Sequence, residues 1–140
     1  MKFSLIAAAS AIAFAATSEA GRVNLYSKEK HGGTCKGFTT SVYGACYDVS
    51  AFKSVKSAAY LSSDNFADSF TLTFFETANC GGKWTRASGK WPAGQWQYWP
   101  TLEYVSGNVK SVWITKTVET PGNGYDNVKR PSTKAGLGPC

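Results

Sequence analysis

A chain of 140 residues with 15 Lys and Arg against 9 Asp and Glu has a net charge of +6 and the length of a single domain with one core. The cations are scattered through the chain, so a nucleic-acid surface is unsupported and the charge reads as a general attraction to anionic surfaces. His31 is the only histidine and no two of the four cysteines have zinc-ligand spacing, so neither metal nor cofactor is expected.

The chain opens with Lys2 and runs almost without interruption through apolar residues from Phe3 to Ala16. That stretch is too short to span a bilayer, and small residues at Ser18 and Ala20 suit signal peptidase, so residues 1–20 read as a signal peptide with cleavage after Ala20, Ala16 being the alternative. Losing Lys2 and Glu19 together leaves the net charge unchanged. No later segment is apolar enough to be transmembrane, and the chain is expected to be secreted, extracellular and monomeric.

Strand signals dominate from there on. Residues 23–26 (VNLY), 70–75 (FTLTFF) and 109–117 (VKSVWITKT) are rich in β-branched and aromatic residues, and Gly, Asn and Ser clusters separate them. Helical periodicity is absent after residue 20, with at most one helical turn between Val49 and Ala59. Residues 61–67 (LSSDNFA) read as a linker. Beyond Val118 the composition turns to Pro121, Gly122, Gly124, Pro131, Gly136, Gly138 and Pro139, which predicts an irregular C-terminal tail over 119–140.

Cys35, Cys46, Cys80 and Cys140 all follow the signal segment, and an exported chain meets an oxidising environment, so two disulfides are expected. Three connectivities are possible. Pairing Cys35 with Cys46 would bracket a tight connection carrying Gly44, and pairing Cys80 with Cys140 would tie down the tail; these are the favoured pairs.

Two stretches are weak copies of each other, 23–39 (VNLYSKEKHGGTCKGFT) and 72–88 (LTFFETANCGGKWTRAS). At an offset of 49, Val23 meets Leu72, Leu25 meets Phe74, Tyr26 meets Phe75, and Gly32-Gly33 meets Gly81-Gly82. Val55-Lys56-Ser57 then recurs as Val109-Lys110-Ser111 at an offset of 54. The change of offset puts roughly five extra residues in the second copy, between Ala87 and Asn108.

Each copy thus runs from a strand ending in an aromatic residue, through a Gly-Gly turn, to a closing strand with a serine. This resembles the βγ-crystallin Greek-key motif, in which glycine permits the positive φ where a hairpin folds over and serine pins that fold. The resemblance covers about residues 23–115. It implies an all-β, disulfide-bonded domain over 21–118, with motif one at about 22–61 and motif two at about 68–117 packed as one β-sandwich. His31 and Cys80 stand where the family has its second aromatic, which weakens that corner in both copies. In the closing segments, residues 52–57 (FKSVKS) and 106–111 (SGNVKS), a lysine replaces the hydroxyl ligand of the family's calcium signature, so no calcium binding is expected.

The candidate binding segment is residues 91–100 (WPAGQWQYWP), which coincides with the insertion and holds three of the five tryptophans. Trp91, Trp96, Tyr98 and Trp99 could stack on sugars, enter a membrane interface or anchor a protein. Trp96 and Tyr98 share one face of an extended chain and Trp99 the other, so half of the cluster is expected to be core, and Trp91 and Trp99 are favoured for function. Lys83, Arg86 and Lys90 are expected to form a basic rim beside it, while Trp84 and Trp113 are expected in the core.

Catalysis is not expected. His31 lies in a glycine-rich turn without a free thiol partner, and nothing fixes the separation of Glu76 and Glu103 at the distance a glycosidase needs. Small disulfide-bonded members of the resembled superfamily include killer toxins and antimicrobial proteins. The resemblance therefore implies a secreted, non-enzymatic effector or toxin-like protein, a cell-death elicitor or virulence factor, acting on a cell-surface protein, anionic lipid or polysaccharide of a host or competitor. The alternatives are an extracellular carbohydrate-binding or cell-wall module and an inhibitor of extracellular enzymes.

Overall fold

The computed structural model describes residues 21–40, 43–62, 69–90, 94–102, 104–105, 109–117 and 119–140, and for residues 69, 70, 89 and 90 the backbone only. The segment expected to be a signal peptide, residues 1–20, therefore lies outside the described residues, as does most of the expected 61–67 linker, whose Leu61 and Ser62 end a strand.

The described chain is all-β. Eight strands form the body: β1 (Gly21–Tyr26), β2 (Cys35–Thr40), β3 (Ala45–Asp48), β4 (Ser57–Ser62), β5 (Ser69–Phe75), β6 (Gly82–Lys90), β7 (Trp96–Trp99) and β8 (Ser111–Thr115). Three short ones follow in the tail, β9 (Gly122–Asp126), β10 (Ser132–Lys134) and β11 (Gly138–Pro139). One sheet has the order β11-β2-β1-β4-β7 and the other β10-β3-β8-β5-β6-β9. Between Val49 and Ala59 the chain makes one turn, closed by a Phe52 N–H to Val49 carbonyl bond of 2.9 Å, and the one described helical segment is a 3-10 turn at Glu29–His31.

Side-chain alternation sets the core. Val23 and Leu25 of β1, and Leu72 and Phe74 of β5, point inward and are fully buried, as are Val112 and Ile114 of β8. Residues related by the 49-residue offset thus occupy equivalent places in opposite sheets. The two halves are also interlocked. β1, β2 and β4 of the first half share a sheet, but β3 crosses over to pair with β8; β7 of the second half crosses back to pair with β4. Neither half can bury its apolar face without the strand that the other supplies.

The folded hairpins repeat the same hydrogen bonds. Ser57 Oγ donates to the Lys28 carbonyl at 2.6 Å and accepts from the His31 amide at 3.0 Å. Ser111 Oγ donates to the Thr77 carbonyl and accepts from the Cys80 amide at 2.9 Å. Both serines are fully buried, and Gly33 and Gly82 turn the chain beside them at φ 76° and 81°. The weakened first corner keeps an aromatic contact, because the His31 ring meets Tyr26 edge-on at 5.1 Å. In the second, Cys80 packs with Phe75 and Cys46.

Two expectations are corrected. The disulfides join Cys35 to Cys140 and Cys46 to Cys80, with Cα atoms 5.7 and 6.1 Å apart, not Cys35 to Cys46 and Cys80 to Cys140. Cys35 and Cys46 are close in sequence, but the chain changes sheets between them, and Cys46 comes to face the folded hairpin of the second half. The tail is not irregular either. β9 pairs antiparallel with β6, β10 pairs parallel with β3, and β11 pairs antiparallel with β2, so the tail lines three outer edges of the body. Arg22 Nη2 donates to the Pro139 carbonyl at 3.1 Å, and Arg130 Nη1 to the Cys80 carbonyl at 2.6 Å while its guanidinium lies 4.0 Å over the Trp113 ring. Closing a loop of about 100 residues, as Cys35–Cys140 does, is worth roughly 4–5 kcal/mol in the chain-entropy treatment.

Candidate functional site at the open sheet edge

Because the tail pairs with β2, β3 and β6, the body strand left with a single neighbour among the described strands is β7. This is the aromatic insertion. Its register is Ala58 with Trp99, Ala59 with Tyr98, Tyr60 with Gln97 and Leu61 with Trp96. An edge strand presents unpaired backbone donors and acceptors along one side, to which another chain or a polar ligand can bond.

The register decides which aromatics face out, and it reverses the expectation. Trp99 is half-buried, packs against the core and meets the Phe74 ring edge-on at 5.7 Å. Tyr98 lies on the outer face and is 57 % exposed, with half-buried Trp96 two residues away on the same face. Trp91 lies outside the described residues.

Tyr98 continues a row of rings. Its ring meets His31 at 4.8 Å, and His31 meets Tyr26 at 5.1 Å, both edge-on. Such contacts add about 0.5–1.5 kcal/mol each beyond area burial. His31 is held from three sides: its amide by Ser57 Oγ, its Nε2 3.2 Å from the Ala58 carbonyl, and its neighbour Lys30 by an N–H bond of 2.8 Å to the Pro100 carbonyl at the end of β7. Lys30 and His31 adopt φ of 54° and 61°, so the turn aims the imidazole across the sheet instead of along it. The row joins the first copy's folded hairpin to the second copy's insertion.

The basic rim is not assembled around this row. Lys83 and Arg86 both stand on β6, in the other sheet. Lys83 is exposed, with Nζ 5.7 Å from the ring of Tyr104, itself a residue of the insertion and 42 % exposed. Arg86 lies 4.2 Å over the Trp84 ring, donates from Nε to Thr73 Oγ1 at 3.1 Å and sits 3.7 Å from the Glu119 carboxylate. Lys90 ends β6 opposite Ser69. Trp84 and Trp113 are half-buried on the outer face of that sheet, around the Cys46–Cys80 disulfide and Phe75, not in the main core. Glu76 Oε1 accepts from the Lys83 amide at 3.2 Å, and Glu103 lies outside the described residues.

Tyr26, His31 and Tyr104 were not named as binding residues from the sequence. The signal available was the resemblance itself, since His31 stands where the family places an aromatic ring. No group of three or more potential metal ligands occurs among the described residues, and none of their helices is long and apolar enough to cross a membrane. Comparison of the chain with family models, with curated proteins and with solved structures found no match.

Proposed function

We propose that this chain is an exported, non-catalytic recognition protein of βγ-crystallin-like build, whose two Greek-key halves hold an aromatic edge that engages the surface of a host or competitor cell. The strand exchange between halves and the matching Ser57 and Ser111 hydrogen bonds support that build. The two disulfides are compatible with an extracellular life. One observation carries the functional part: the tail lines the edges of β2, β3 and β6, so that among the described strands β7, which carries exposed Tyr98 and its row of rings, is the body strand with a single neighbour. The site is a fixed surface, as suits recognition without chemistry. The effector or toxin-like role follows from the resemblance.

The test is to apply purified folded protein to plant tissue and to microbial cells beside its reduced form and Tyr98→Ala. A response to the folded protein that weakens with Tyr98→Ala and vanishes on reduction is expected. A response equal in wild type and Tyr98→Ala sinks the edge as the site. A second reading, a cell-wall carbohydrate module, is favoured by Trp96 and Tyr98 standing two residues apart on one outer face, about 7 Å along the strand and within the reach of a sugar chain. Retention on chitin, glucan or pectin that is lost in Trp96→Ala and Tyr98→Ala, with no cell response, would select it.

A further inference from the structure

A cleft of about 680 Å³ opens away from β7, between the β3–β4 connection, the β5–β6 turn and the approach to β8. Its size is that of a small-ligand pocket. Two cations stand on its wall, Lys53 and Lys110, both exposed and neither in an ion pair with another described residue. The single carboxylate on the lining is Glu76, whose Oε1 already accepts the Lys83 amide hydrogen on the β6 side. The cleft is therefore positively charged in a chain that is itself positive.

The walls are pinned to one another. The Val49 amide donates to the Lys110 carbonyl at 2.8 Å, the Lys110 amide to the Phe75 carbonyl at 2.8 Å, and Ser111 Oγ holds the Thr77 carbonyl. Ser54 sits at φ 63°, a backbone state that costs a non-glycine residue about 1 kcal/mol or more and persists only where surrounding structure enforces it. Phe52, half-buried and packed on the core, supplies an apolar face, and Ser50 and Ser54 add hydroxyls. Ser50 is also a wall of a second hollow of about 300 Å³ that carries Lys134 and one carboxylate, Asp48, whose Oδ1 already accepts from the Ser50 amide at 2.8 Å. Two adjoining hollows with separate cations suit a polymer with repeated anions better than one small anion.

We infer that this cleft binds an acidic polysaccharide, a run of uronate sugars whose carboxylates meet Lys53 and Lys110 and then Lys134, with hydroxyls on Ser50 and Ser54 and a ring face on Phe52. This rests on the reading of the protein as one that works at a cell surface and names the ligand class for a second part of that surface. Lysine ammonium groups suit carboxylates as point charges, and such contacts weaken with salt.

The experiment titrates the purified full chain with oligogalacturonate of about six sugars by calorimetry, beside neutral glucan oligomers, inorganic phosphate and phosphatidylserine vesicles. Oligogalacturonate should bind, and Lys53→Gln and Lys110→Gln should each weaken it about tenfold. The charge-matched controls Lys116→Gln and Lys129→Gln, each removing one charge, and the edge variant Tyr98→Ala should leave it unchanged. Thermal midpoints of all variants establish that they fold. The inference is overturned if oligogalacturonate does not bind, if the charge-matched controls weaken binding as much as the cleft variants, or if phosphate or the vesicles bind as well as the uronate. Loss of the cell response in Tyr98→Ala with uronate binding intact separates this site from the edge.

Discussion

Ser57 and Ser111 show how little of a side chain is needed to fix a fold. Each hydroxyl satisfies a carbonyl and an amide on a folded hairpin, and each is fully buried. Ser57→Ala or Ser111→Ala should lower the unfolding free energy by about 1–3 kcal/mol, read by urea denaturation, because buried backbone groups lose their partners. The sequence marks both positions because the hydrogen bonds recur at the same offsets as the residues. Tyr60 makes a different demand. It is fully buried in the main core, and burial, followed by the neighbouring Tyr43, pushes its pKa far above the usual phenol value. A raised folded-state pKa means that its stabilisation is complete below the unfolded value near 10 and is lost as pH climbs past it. The thermal midpoint of the wild type should fall between pH 9 and pH 11, and in Tyr60→Phe that pH-dependent fall should shrink. Unchanged slopes would refute the assignment to Tyr60.

At the scale of elements, β1, β5 and β8 were legible because β-branched and aromatic residues concentrate in them and turn residues separate them. The crossing strands were not. The face of β7 that turns inward is set by pairing with Ala58 and Ala59 in the opposite half, and no local pattern in the aromatic insertion encodes that pairing. The aromatic segment was therefore found and its inward side misassigned. Substitutions make the distinction measurable: Trp99→Ala should cost about 2–4 kcal/mol, for a half-buried ring packed on Phe74, while Tyr98→Ala should cost under about 1 kcal/mol. Thermal denaturation of the two variants checks it, and equal costs would reverse the assigned faces. The tail strands were illegible for another reason. β9, β10 and β11 hold few apolar residues, since an edge strand can be held by backbone hydrogen bonds and a disulfide without burying a face.

Across the whole molecule, the duplication supplies two halves that depend on each other, and the tail then covers edges that the duplication leaves open. This division predicts separable failures. Cys140→Ser should free the end of the tail, so that limited proteolysis trims residues after 117 while a protected body persists. Cys46→Ser should strike the body itself, because that bond spans the two halves. A body that unfolds cooperatively on loss of Cys140 would mean that the tail is part of the core's stability. The Asp126 and Arg130 pair, 3.1 Å apart, adds a milder hold on the tail. The Val128 amide, then Arg130, keeps the Asp126 carboxyl below its usual value, so this hold is present above about pH 4 and fades as acid protonates it.

The Cys35–Cys140 bond also has a consequence in time. Its partners are 105 residues apart, and Cys140 leaves the ribosome last of the four cysteines. Cys35 must wait as a reactive thiol while Cys46, eleven residues away, emerges beside it. The quickest bond to form is then the wrong one, and it holds β2 against β3 before β3 has crossed to the other sheet. A Cys35–Cys46 bond that forms first must be reshuffled, so the yield of native protein in oxidative refolding should depend on a disulfide isomerase more than on an oxidant.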